Sequence, residues 1–100
     1  MKRDDVIATL QQHRAALEER GVMHAAVFGS VARGEETPES DIDIMIDIEP
    51  TKWFSMGIYD YVDIQLMIGD LFPPPVDVVN RESLKRYVKP SVLKDAIYAF

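Results

Sequence analysis

The chain is 100 residues long, with 11 lysines and arginines against 17 aspartates and glutamates, a formal net charge of −6, 47% apolar residues and no cysteine. That length and apolar content predict one modest core and a single domain over residues 1–100. The acidic balance disfavours nucleic acid as a direct partner and suits a basic protein, and the lack of cysteine leaves metal chemistry to oxygen or imidazole ligands. The opening Met1–Asp5 carries no apolar signal core, and no apolar run reaches the roughly 18 residues that argue for a membrane span, so the expectation is a cytoplasmic protein with no membrane partner.

Taken in chain order, Arg3 to Arg20 contains neither Pro nor Gly, sets Asp4 and Asp5 in a first turn and brings Val6, Leu10 and Leu17 to one face. It predicts one helix, ended by Gly21. Met23 to Phe28 is short, mostly apolar and stopped by Gly29, the pattern of a buried strand. The stretch Gly29-Ser30-Val31-Ala32-Arg33-Gly34 satisfies the first six places of a P-loop and then fails, because Glu35 and Glu36 stand where Lys and a hydroxyl residue are required. Two readings stay open for it. Gly29 lets the backbone approach a phosphate whose oxygens Ser30 and nearby amides hold, or Ser30 caps an ordinary strand-to-helix turn. Arg33 is either a triphosphate contact or a solvated surface arginine.

Asp41 to Ile48 alternates strictly, with Ile42, Ile44, Ile46 and Ile48 on one side and Asp41, Asp43, Met45 and Asp47 on the other. On such a strand Asp41 and Asp43 present carboxylates side by side, roughly 6.5 to 7 Å apart at Cα. Magnesium, which takes hard oxygen ligands and keeps positions open for phosphate, is one reason to place like charges there; a strand with one wet face is the other. Aspartate is depleted in strands, which weighs toward the metal. Asp47 is expected to be solvated and outside the site.

Trp53 to Asp70 predicts one helix carrying Asp60, Asp63 and Asp70 on a stripe, with most of Trp53, Phe54, Tyr59 and Tyr61 packed in the core. Pro73-Pro74-Pro75 ends it, and Val76 to Val79 follows as a third strand, short and internal. Asp77 within that strand either completes a metal site and accepts a proton, or sits at the rim of the sheet. Arg81 to Tyr87, capped by Asn80, and Ser91 to Tyr98, after Pro90, read as helices, giving a small α/β domain. His13 and His24 lack zinc spacing, and no serine lies in a Gly-x-Ser-x-Gly elbow.

The combination of Gly29-Ser30, ten intervening residues, Asp41-x-Asp43, and Asp77 in a later Val-Asp-Val-Val run resembles the minimal nucleotidyltransferases, a reduced branch of the DNA polymerase β-like superfamily. The resemblance implies an α/β (α+β) fold, a small mixed sheet flanked by helices. It implies that Asp41, Asp43 and Asp77 bind magnesium, two ions in all, with Asp77 helping to activate the acceptor hydroxyl. Gly29 and Ser30, joined by Arg33, would bind ATP, whose AMP is transferred as pyrophosphate leaves. It further implies a partner, a HEPN-domain ribonuclease toxin modified on a tyrosine and held as a hetero-oligomer, for which this chain acts as antitoxin. An antitoxin that inhibits by binding alone is the alternative, and transfer to a small molecule or an RNA end is a third reading.

Overall fold

The computed structural model describes residues 1–100. The acidic first turn opens α1 (Arg3–Gln12), and the helix continues after one irregular residue as α2 (Arg14–Glu19), where a single helix was expected. His13 causes the break. Its ring Nδ1 lies 2.9 Å from the Thr9 carbonyl, the acceptor that its own N–H would use in an unbroken helix, and that N–H turns to Leu10 O at 3.1 Å instead. Leu17 N–H still reaches His13 O at 3.0 Å, so the axis carries on and Val6, Leu10 and Leu17 all enter the core.

The chain then runs through β1 (Val22–Phe28), α3 (Gly29–Arg33) and β2 (Ile42–Ile48), the last starting one residue after Asp41. The helix expected over Trp53 to Asp70 is two, α4 (Pro50–Ser55) and α5 (Ile58–Gly69), because each has its own N-terminal acid. Glu49 accepts from the Thr51 and Lys52 N–H groups at 3.2 and 3.1 Å, and Asp60 accepts from Gly57 N–H at 3.1 Å, with Met56 extended between the two helices at ψ 136°.

After β3 (Val76–Asn80), the predicted helix over Arg81 to Tyr87 shrinks to one 3-10 turn, Arg81–Ser83, although Asn80 does cap it, accepting from Glu82 N–H at 3.4 Å. The final helix, α6 (Lys89–Asp95), starts earlier and stops sooner than expected, and Ile97–Tyr98 form β4 rather than its last turn. Ala96 is already extended at ψ 131°, and β4 pairs antiparallel with Ala26 and Val27 of β1. No helix is long and apolar enough to cross a membrane.

The four strands form one mixed sheet in the order β3-β2-β1-β4, β2 running antiparallel to β1 and parallel to β3, the small helix-flanked α/β sheet that was anticipated. The four β2 isoleucines bury one face against Val6, Leu10, Leu17, Ile64 and Ile68. The opposite face is not simply wet. Val92 of α6 covers Ala26 and Met45 there, and Asp47, expected to be solvated, is only 9% exposed.

Strand β3 lies at the edge of the sheet, not inside it. Helix α5 nonetheless reaches it, with Gln65 Nε2 donating to Val78 O at 2.9 Å while Tyr61 packs against the core. Tyr61 also meets Trp53 edge to face, with ring centroids 5.3 Å apart. Only these two of the four aromatics pack; Phe54 and Tyr59 face solvent.

Candidate active site

The sheet register assembles the site. Asp43 of β2 pairs with Phe28, the last residue of β1, on one side and with Asp77 of β3 on the other. Partners on adjacent strands put their side chains on one face about 4.8 Å apart, so Asp43 and Asp77 are neighbours, and Asp41, two residues earlier, points the same way. The prolines lead directly into this arrangement, since Pro75 O accepts from Ile42 N–H at 3.0 Å immediately before the Ile42–Val76 pair.

The three carboxylates act on one another. Asp43, half-buried between its neighbours, has its carboxyl pushed up to about 6, first by burial and then by the charges of Asp77 and Asp41, against an opposing pull from Arg33. Asp41 and Asp77 are exposed, so the acids form an open surface rather than the floor of a closed pocket. No three His, Asp or Glu side chains are drawn together closely enough to form a metal centre as they stand. The donor set fits magnesium all the same, being carboxylate oxygen throughout, with a central acid whose charged form is disfavoured until a cation joins it.

The raised pKa of Asp43, from burial first and from its neighbours' charges second, predicts a pH-dependent cost in metal-free protein. The folded carboxyl at about 6 lies above its ordinary 3.8, so the native state keeps a proton across that interval which the unfolded chain has released. Stability is undiminished below about pH 4 and falls as pH rises toward and past 6, by at most about 3 kcal/mol for two pKa units and less for a partly exposed group. With chelator present, Asp43→Asn is expected to gain thermal stability over the wild type as pH rises through this window and to keep the gain above it. Parallel melting curves for both proteins from pH 4 to 7.5 would rule out a raised Asp43 carboxyl.

Gly29 is required twice over. Its φ is +72°, a left-handed conformation that costs other residues strain, and a Cβ at this position would drive into the Asp43 carboxylate. The α3 helix opens at Phe28 without any side-chain cap, so Ser30 does not perform the capping role that was its ordinary alternative. Arg33 is not a free surface cation. Its Nε lies 3.0 Å from Glu35 Oε2 and its Nη1 2.6 Å from Asp95 Oδ2, which ties α3 to α6 beside Asp43.

Sequence reasoning missed a cleft at the far end of β2, about 490 Å³ in volume and lined by Met23, His24, Asp47, Trp53, Phe54 and Arg81 among others. Of its two acids, Asp47 continues the Asp41-Asp43 alternation but lies four residues along β2 from Asp43, the partner of Asp77.

A family model for the nucleotidyltransferase domain matches residues 10–99. The chain is similar to the protein adenylyltransferase MntA of Thermococcus cleftensis, at 31% identity over 96 residues, covering 95% of this chain and 93% of that protein. Among solved structures, a minimal nucleotidyltransferase superposes with a TM-score of 0.76 at 28% identity, over 97% of this chain and 95% of its own. A chain from a toxin-antitoxin crystal structure with AMP-PNP shares the fold, with a TM-score of 0.67 at 17% identity over 90% of this chain and 72% of its own. The protein belongs to the nucleotidyltransferase family, whose members are enzymes that transfer nucleotidyl groups.

Proposed function

We propose that this chain is an antitoxin that transfers AMP from ATP to a tyrosine of a HEPN-domain ribonuclease toxin and so neutralises it. The observation that carries this reading is the Phe28–Asp43–Asp77 register, which sets a left-handed glycine against Asp43 and brings Asp77 and Asp41 near enough for their charges to act on it. Asp41, Asp43 and Asp77 would hold magnesium, which when bound supplies charge neutralisation for the phosphates and for the oxygens entering and leaving. Gly29 and Ser30 take the triphosphate, the glycine by close backbone approach and the serine by its hydroxyl. Arg33 joins them by exchanging Glu35 or Asp95 for a phosphate oxygen.

In this mechanism the tyrosine oxygen bonds to the α-phosphorus, the bond from that phosphorus to the bridging oxygen breaks, and pyrophosphate leaves. Asp77, exposed at the sheet edge, takes the phenolic proton. An open acid surface suits an acceptor presented by a second protein, and the name of the Thermococcus relative, a protein adenylyltransferase, supports a protein acceptor. An AMP phosphate beside a ribonuclease cleft would repel RNA.

Intact mass of the toxin after incubation with this chain, ATP and magnesium tests the proposal; the expected result is an AMP-sized gain. Exposed Phe54 and Tyr59 favour a second reading, inhibition by binding alone, which requires neutralisation with no gain in mass. Ser30→Ala is expected to raise the KM for ATP by about tenfold with kcat changed much less, the pattern of a lost ground-state hydrogen bond. An unchanged KM would remove Ser30 from the nucleotide site.

A further inference from the structure

Helix α5 is apolar on the side it shows to solvent. Ile64 and Ile68 fill its inner face, and roughly 100° per residue places Val62, Leu66 and Tyr59 along the opposite face with Ile58 beside them. These four are 39, 59, 83 and 73% exposed, and Phe54 at the end of α4 is 86% exposed. An outer helix face ordinarily carries polar groups, and a helix apolar on both sides is one that something covers.

The charges that flank the outer face of α5 are acidic, Asp63 and Asp70, while Asp60 sits toward the inner face beside Arg20 and Lys52, and Arg81 stands near Phe54. Asp60, Asp63 and Asp70 are exposed on α5 and at its end, and no lysine or arginine occurs between Trp53 and Asn80. A second copy would bring the same aspartates against themselves, within a chain of net charge −6. From the apolar axis and its acidic border we infer that this surface docks a helical face of a different protein, one apolar along its axis and bordered by lysines or arginines.

The location sets this surface apart from the acids. Gln65 of α5 reaches Val78 of β3, but Ile64 and Ile68 pack with Val78 on the isoleucine face of the sheet, whereas Asp43 and Asp77 are paired on the other face. A protein seated on Leu66 therefore holds the chain from behind the sheet and leaves the carboxylates open. The inference goes beyond the proposed transfer and does not rest on it.

The test uses a labelled helical peptide with a leucine face bordered by lysines, followed by anisotropy against the full chain. Binding is expected, weakening with salt and falling about tenfold or more in Leu66→Asp and in Tyr59→Ala, while a peptide bordered by glutamates fails to bind. Both positions are exposed, so circular dichroism should show an unchanged fold. Three results overturn the inference: no binding of the lysine peptide, equal binding of both peptides, or a wild-type dimer on sedimentation that Leu66→Asp dissociates. Binding of ATP with magnesium is measured on the same samples. Its failure in the wild type would sink the proposed transfer and leave the peptide result to decide the surface.

Discussion

Asp43→Asn is expected to reduce AMP transfer by about 10³-fold or more while leaving a folded protein. Asn preserves the size and planarity of a side chain wedged between Phe28 and Asp77 on the paired strands, so β2 keeps its register and its isoleucine face stays buried. What disappears is the charge on the acid that both neighbouring carboxylates press upon. The measurement is the rate of mass gain on the acceptor, taken beside a melting curve. Transfer at the wild-type rate by a folded Asp43→Asn protein would end the assignment of this register as the reacting centre.

The second large effect is expected at Gly29, where alanine adds one methyl group and meets two obstacles. The φ of +72° costs an L-residue about 1–2 kcal/mol, and the new Cβ must displace the Asp43 carboxylate. Urea denaturation should show a loss of about 1–2 kcal/mol, and transfer should fall about 100-fold, the scale set by moving a reacting group by about an ångström. The two effects share a cause. Adding Gly29→Ala to Asp43→Asn should therefore cost transfer little more than Asp43→Asn alone, and clear additivity would mean that Gly29 acts by a route other than the carboxylate.

Much of the candidate site's geometry was legible because two short patterns carry unusual information. Strict alternation over Asp41 to Ile48 leaves one strand solution, and in it Asp41 and Asp43 must share a face. Gly29 marks the end of the strand before it, and the structure places its backbone where only glycine fits. Asp77 was identified from a lone acid in a valine run, but its strand is an edge strand, since nothing local in Val-Asp-Val-Val says which neighbour it lacks.

The misses came from contacts that a linear pattern does not contain. The break at His13 depends on a ring nitrogen reaching Thr9 O, and the break at Met56 on Asp60 capping Gly57. Ile97-Tyr98 continued a helical pattern in sequence and became a strand because β1 offered an unpaired edge. Asp47 was expected to be solvated from its place two residues beyond Met45, yet its face of the sheet is partly covered by residues distant in sequence.

Both margins of the sheet are blunted against strand addition, though by different means. On one side β4 spans only two residues, and on the other Gln65 occupies the Val78 carbonyl that an incoming strand would need. Main-chain ladders are a promiscuous form of adhesion, open to any extended segment and the usual route to fibrils. A chain that exposes aromatic and aliphatic side chains while blunting its sheet margins can be sticky for one companion and inert toward the rest of a crowded cell, and substitutions on α5 can retune that choice of companion without exposing the sheet to aggregation.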